Sequence, residues 1–243
     1  MTNNYIILIE YPFYWNIKKI LTSAVILPSM EWLPQYSTKV IIIDIIKQEI
    51  IKTLYTEPFF AMHHINSYEE NNKIILDLIY YKDSNIINKF YLNNIKKLTN
   101  FPGGTIKRLI IDLNKDIINL QDYFTDIKIE MPNINLNYKT NKYRFFYSIS
   151  NNSIIKLDMV SNKINIWYEK YQYPQEPQYI NNGNLEDSGY ILSNVLDGNM
   201  NKTYLLILNA TNMIVINKYY MPLGLPMLCH GLFIKQNLCY IVP

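Results

Sequence analysis

The residues best suited to chemistry are three histidines, His63, His64 and His230. Neutral imidazole ligates iron, zinc and copper. If residues 62–66 are extended, neighbouring side chains point to opposite faces, so only one of His63 and His64 can face a given site. His230 follows far downstream, after the strand-breaking Gly224 and Pro226. One histidine of the first pair and His230 would bring two imidazoles to one point, and two such ligands alone rarely hold a metal firmly. The alternative for each is a buried, hydrogen-bonded histidine. Cys229 beside His230 would diverge from it in a strand, so no Cys–His nucleophile pair is expected.

Two carboxylates stand in unusual settings. Glu130 lies in Ile129-Glu130-Met131-Pro132 and Glu176 in Pro174-Gln175-Glu176-Pro177. Burying a carboxylate without a partner is costly. Accepting the N–H of a metal-bound imidazole would remove that cost and orient the ring. The alternative is a carboxylate on a surface loop. Gly103-Gly104 reads as a turn and not as a phosphate-binding fingerprint, and no serine nucleophile elbow is present.

The elements that must position these groups read mostly as strands. Aromatics make up 14% of the 243 residues, and 22 of them are Tyr; with abundant Ile, this favours pleated, half-buried surfaces. Strand-like runs fall at 5–9, 40–46, 73–80, 106–113, 143–147, 154–159, 163–167, 190–196, 204–208, 213–216, 231–234 and 239–242. Turns rich in Asn, Asp and Ser join several pairs as hairpins. One helix is expected over 86–98, capped by Ser84, because Ile86, Ile87, Phe90 and Tyr91 recur at helical spacing. The class is all-β, and meanders in this number suggest a sandwich, a barrel or a propeller. No clean repeat of the common propeller signatures is visible, nor any linker, so residues 1–243 read as one unit.

The net charge of +3 is small and its Lys and Arg are scattered, which argues against nucleic acid as a partner. Two cysteines cannot build a disulfide framework, so a reducing, cytoplasmic setting is expected. Residues 1–10 lack the basic start of a signal peptide, and no segment approaches the ~20 apolar residues that span a bilayer. Residues 20–27, flanked by Lys18, Lys19, Trp15 and Trp32, have the pattern of a segment lying on a membrane; an ordinary loop packed on the core is the alternative.

Taken in order along the chain, several stretches resemble the carotenoid cleavage oxygenase family, in its animal branch of β-carotene oxygenases and retinoid isomerohydrolase. Thr2-Asn3-Asn4-Tyr5 through Glu10-Tyr11-Pro12 is similar to the family's T-x-N-Y strand. Phe60-Ala61-Met62-His63-His64-Ile65-Asn66-Ser67-Tyr68-Glu69 resembles F-H-H-I-N-x-Y-E, the most specific stretch. Glu130-Met131-Pro132-Asn133-Ile134-Asn135 resembles E-x-P-x-I-N, and Pro174-Gln175-Glu176-Pro177 resembles P-x-E-P. Glu186-Asp187-Ser188-Gly189, Tyr204-Leu205-Leu206-Ile207-Leu208-Asn209-Ala210 and His230-Gly231-Leu232-Phe233 complete the order.

The resemblance implies a seven-bladed β-propeller with one Fe(2+) on its axis, held by four histidines. It implies that His63 and His230 are the third and fourth metal ligands, that His64 points away, and that Glu130 and Glu176 are two of three carboxylates holding imidazole N–H groups. The family's first two ligand histidines and its first carboxylate have no counterpart here. The chain is therefore expected to be a partial propeller, the C-terminal half of about four blades with the N-terminal blades missing and a short helix near 85–98. As such it would be inactive by itself, the product of a truncated gene model or a degraded gene copy. Ala61-Met62 is an insertion relative to the family spacing, and no role attaches to Arg144. The implied activity is addition of dioxygen across a double bond of a carotenoid or apocarotenoid, giving two carbonyl products. The alternatives are retinyl ester isomerohydrolysis, or a non-catalytic β module that binds an apolar ligand or a protein. Implied partners are the carotenoid or retinoid, dioxygen and a membrane surface touched peripherally.

Overall fold

A computed structural model describes residues 1–22, 29–95, 102–222, 224–226 and 230–234. The chain opens with β1 (Tyr5–Glu10), β2 (Phe13–Trp15), a short helix α1 (Ile17–Thr22) and β3 (Met30–Trp32), which pairs back on β2. Next, β4 (Thr38–Asp44) runs antiparallel beside β1 and turns into β5 (Glu49–Thr56), giving a β1-β4-β5 sheet. A second sheet is the plain meander β6 (Phe60–Glu70), β7 (Lys73–Tyr81), β8 (Thr105–Asp112) and β9 (Ile117–Tyr123), with one-turn helices α2 (Ile86–Lys89) and α3 (Leu92–Ile95) between β7 and β8. A third is β10 (Glu130–Asn133), β11 (Phe145–Ser150), β12 (Ser153–Asp158) and β13 (Ile164–Tyr168). The fourth orders β14 (Gln172–Pro174), β16 (Gly189–Asp197), β17 (Lys202–Asn209) and β18 (Val215–Tyr220), with β15 (Gln178–Asn181) also paired to β16.

The apolar pattern explains how the sheets stack. On β7, Ile74, Leu76 and Leu78 face the first sheet and pack with Ile7, Val40 and Ile42, while Ile75 and Ile79 face the third and pack with Phe146, Ile155 and Leu157. On the opposite face of β11, Tyr147 and Ile149 turn to the fourth sheet and meet Val195, Tyr204 and Leu206. A strand alternates its faces, so a run apolar on both faces is one sandwiched between two layers. Four antiparallel meanders stacked face to face in sequence order have the arrangement of successive propeller blades.

Several of the stretches singled out in the sequence tie neighbouring blades together. Thr2 Oγ1 donates to Glu69 Oε1 at 2.6 Å, and Asn4 donates its backbone N–H and side-chain amide to the same carboxylate at 3.0 and 2.9 Å. Asn66 Nδ2 donates to the carbonyls of Tyr138 and Asn141, both at 3.0 Å. Asn135 Nδ2 donates to the Glu186 carbonyl at 2.9 Å, and Glu186 Oε1 accepts the Arg144 and Phe145 N–H groups, both at 2.7 Å. Arg144, given no role above, forks onto Asp158 at 2.9 and 2.7 Å.

The structure also shows a repeat that the sequence hid. Asp44, Asp112, Asp158, Asp197 and Asn209 each end a strand, and the side-chain Oδ1 of each accepts the N–H groups two and three residues on. Four residues after each, the backbone turns left-handed, at Gln48 (φ 58°), Asp116 (57°), Asn162 (56°), Asn201 (50°) and Met213 (63°). The Asx side chain substitutes for a backbone acceptor and closes the hairpin. Because the last position is not held to Gly, the repeat escapes a motif search.

Three expectations are corrected. The single helix 86–98 is two one-turn pieces, its first N-cap is Asn85 without a side-chain bond rather than Ser84, and residues 96–98 lie outside the described residues. Residues 231–234 form no strand, and 239–242 lie outside the described residues. Gly103-Gly104 is no turn: Gly104 forms an antiparallel bridge with Ile129.

Candidate metal centre

His63 lies on β6, where the pairing with β7 slips between Ala61 and His64 and again between His64 and Asn66. These bulges leave extra residues on β6 opposite β7 and re-aim the strand. His63 Nδ1 lies 2.6 Å from Glu130 Oε2. His64 turns elsewhere, with Tyr11 Oη 3.4 Å from its Nε2. Desolvation, helped by the positive chain terminus and His63, draws the His64 pKa down to about 4, so its ring is neutral near pH 7.

Glu130 opens β10 and is 1% exposed. Its buried charge is satisfied by three donors: His63 Nδ1, the Met131 N–H at 2.9 Å and the Tyr81 hydroxyl at 2.5 Å. The Met131 contact requires a left-handed backbone, φ 55°, which costs a non-glycine residue roughly 1–2 kcal/mol. Behind it, Ser148 on β11 donates to the Glu130 carbonyl at 2.6 Å.

Glu176 repeats this arrangement one blade on. Its Oε1 lies 3.2 Å from His230 Nδ1 and its Oε2 accepts the Gly231 N–H at 2.8 Å. Ser193 on β16 donates to the neighbouring Gln175 carbonyl at 2.7 Å. His230, Glu176, Leu192, Leu205 and Phe233 line a cleft of about 170 Å³.

The two assemblies meet. The His63 and His230 rings are 5.3 Å apart, centroid to centroid, edge to face. With each Nδ1 on a carboxylate, the neutral form of each ring carries its proton on Nδ1 and its lone pair on Nε2, the form in which imidazole takes a metal. Burial works to lower the His63 pKa, but the hydrogen bond and charge of Glu130, with the charge of Glu176, outweigh it and raise it. Burial, then the charge and hydrogen bond of Glu130, push the Tyr81 hydroxyl far above its usual range, so it stays a donor.

His63, His230, Glu130 and Glu176 thus come together, and His64 does not join them. Among the described residues no group of three or more His, Cys, Asp or Glu forms a metal cluster, and the pair supplies two imidazoles. Cys229 lies outside the described residues. Sequence reasoning missed Tyr81, which sits in an ordinary apolar strand, and Gly104, whose lack of a side chain lets Ile79, Tyr80 and Tyr81 close around it while its backbone bridges Ile129.

Residues 1–235 match the family model described as retinal pigment epithelial membrane protein. The chain belongs to this family, that of the carotenoid cleavage oxygenases. Relatives in it include the mitochondrial carotenoid-cleaving dioxygenase of Macaca fascicularis, 29% identical over 96% of this chain and 52% of the relative. The β,β-carotene 15,15'-dioxygenase of Gallus gallus is 28% identical over 98% of this chain and 53% of its own. The carotenoid isomerooxygenase of Galleria mellonella is 27% identical over 98% and 52%. The family fold is matched by the cobalt-substituted apocarotenoid oxygenase of Synechocystis, with a TM-score of 0.87 at 22% identity, over 97% of this chain and 52% of that structure. The chain spans about half the length of the curated relatives it matches.

Proposed function

We propose that this chain supplies the His63–His230 half of the iron(II) site of a dioxygenase that cleaves a carotenoid or apocarotenoid double bond, within a seven-bladed propeller whose axis carries the metal. One observation carries the reading: two imidazoles from distant blades meet at 5.3 Å, each with Nδ1 on its own carboxylate. That donor set suits iron(II), since neutral imidazoles are acceptable ligands and the carboxylates offset part of the ion's charge. Iron(II), when bound, supplies the one-electron chemistry that lets dioxygen react with a polyene.

The chain's own residues do the rest. Glu130 and Glu176 hold the two Nδ1 protons and fix the rings. Leu192, Leu205 and Phe233 offer apolar surface beside His230, suited to one flank of a polyene. The balance of the reaction is simple: one C=C and one O2 become two C=O, each carbon taking one oxygen atom. Two imidazoles hold iron weakly, so these 243 residues alone are expected to turn over little substrate.

The reading places the protein in the cytoplasm, touching a membrane peripherally. Supporting this, Ile17 and Leu21 of α1 are 70% and 82% exposed beside Lys18, and Trp15 is exposed next to them. Residues 23–27 of the expected membrane segment lie outside the described residues. The test is anaerobic titration of the protein with Fe(II) or Co(II), followed by product analysis under 18O2 with β-carotene, an apocarotenal and a retinyl ester. Labelled aldehydes, in the small yield expected of a metal held by two imidazoles, support the reading. Release of fatty acid from the ester alone would favour the isomerohydrolase chemistry. A protein that binds apolar ligand but neither metal is a non-catalytic module.

A further inference from the structure

Tyr81 lies one layer farther from the two histidines than Glu130, and the metal-site reading gives it no part beyond that of a donor to Glu130. It ends β7 directly opposite Phe60, at the point where β6 begins to bulge toward His63. Its hydroxyl donates to Glu130 Oε1 at 2.5 Å, while Oε2 of the same carboxylate takes His63 Nδ1 at 2.6 Å. Glu130 could otherwise rotate about its last bond. With one oxygen pinned by Tyr81 and the other also holding the Met131 N–H, the carboxylate plane has one orientation.

The ring of Tyr81 is itself fixed. A Cβ on Gly104 would fall 3.0 Å from Tyr81 Cζ, 2.8 Å from Ile79 Cγ2 and 2.5 Å from the Tyr80 carbonyl. Gly104 in turn is tied to Ile129, the residue before Glu130, by reciprocal N–H···O bonds of 2.9 Å. The same bridge therefore seats both the phenol and the carboxylate backbone. No comparable phenol contacts Glu176 among the described residues, and the His230 bond there is longer, 3.2 Å.

We propose that Tyr81 is a positioning residue for His63: through Glu130 it sets the angle at which the His63 imidazole presents Nε2. This rests on the reading of His63 as a metal ligand, but its structural part stands independently of metal.

The test uses the whole chain, with Tyr81→Phe and Glu130→Gln, and two readouts. In metal-free protein, the His63 Nδ1–H proton resonates far downfield in NMR, and in the unmutated chain it shows a cross-peak to the Tyr81 hydroxyl proton. Tyr81→Phe moves that resonance upfield and leaves the His230 Nδ1–H in place. With Co(II) as the probe, Tyr81→Phe raises the dissociation constant about tenfold, the lower end of the range for partners that orient ligands, in protein that is still folded at the titration temperature. If Tyr81→Phe leaves the His63 proton unmoved while Glu130→Gln moves it, the proposal is overturned and the metal reading survives. If no form binds Co(II), the metal reading fails, and the NMR shift alone decides whether Tyr81 orients His63. Should Tyr81→Phe not fold, absence of the hydroxyl cross-peak in the unmutated chain overturns the proposal and its presence supports it.

Discussion

The imidazoles of His63 and His230 stand edge to face at 5.3 Å although one comes from the second blade and the other follows the fourth. What brings them there is a pair of similar supports: a carboxylate one or two residues before a proline, with a serine of a neighbouring strand donating to a carbonyl at its base, Ser148 to Glu130 and Ser193 to Gln175. The two supports are not equally protected. The His63 and Glu130 side chains are 24% and 1% exposed, those of His230 and Glu176 59% and 13%.

That asymmetry predicts different outcomes on neutralising each carboxylate. Glu130→Gln leaves a buried amide facing three donors, so it weakens Co(II) binding by about 10- to 100-fold and also lowers stability. Glu176→Gln weakens binding within the same range with a smaller loss of melting temperature, because Glu176 is the less buried of the two. Isothermal titration with Co(II) beside thermal denaturation checks both; equal loss of stability in the two variants would contradict the argument.

Arg108 and Asp77 test the packing between the second and third blades. Asp77 is fully buried and takes a forked pair of bonds from Arg108 at 2.7 and 2.8 Å plus the Tyr143 hydroxyl at 2.8 Å. Arg108→Met strands that carboxylate, an expected loss of about 3–5 kcal/mol. Urea denaturation measures it, and the double variant Arg108→Met with Asp77→Leu should recover much of the loss because no charge is left buried.

Asp158 sets an acid limit. The Arg144 bond, aided by Ser161 and Val160 N–H donors and opposed by desolvation, holds its carboxyl well below the usual range. A depressed folded-state pKa contributes stability above the unfolded value, near 4, and that contribution is lost as pH falls through the folded value. Asp158→Asn should therefore be less stable than the unmutated chain at pH 7 and show a flatter decline below about pH 4, as read by melting temperature against pH.

The recurrent hairpin offers a stabilising change. Gln48 is exposed and sits at φ 58°, where Gly carries no Cβ penalty. Gln48→Gly should gain up to about 1 kcal/mol, because relief of a left-handed Cβ clash is worth roughly 1–2 and part of it is offset by chain entropy. Asp44→Ala, which removes the acceptor of the same turn, should cost about 1 kcal/mol, the scale of one hydrogen bond.

Much of the site was written locally. His63, His230, Glu130 and Glu176 stood out because a residue type met an unusual neighbourhood, and motif order joined them. Most central strands, such as β4, β7 and β16, were legible because their apolar residues face cores set by strand alternation. The outer strand β9 was not, since its residues are largely exposed and carry little pattern.

By itself the sequence pointed to the four site residues, the all-β class and the family; which carboxylate serves which histidine came from the tertiary structure. Strand alternation left open which of His63 and His64 faces His230 and the family resemblance implied His63; the tertiary structure shows how, through two bulges in the pairing of β6 with β7. It alone showed Tyr81 on Glu130, the left-handed Met131 and the Gly104–Ile129 bridge. Each of these is a contact between distant segments in close packing, and close packing leaves no periodic trace in the chain that makes it.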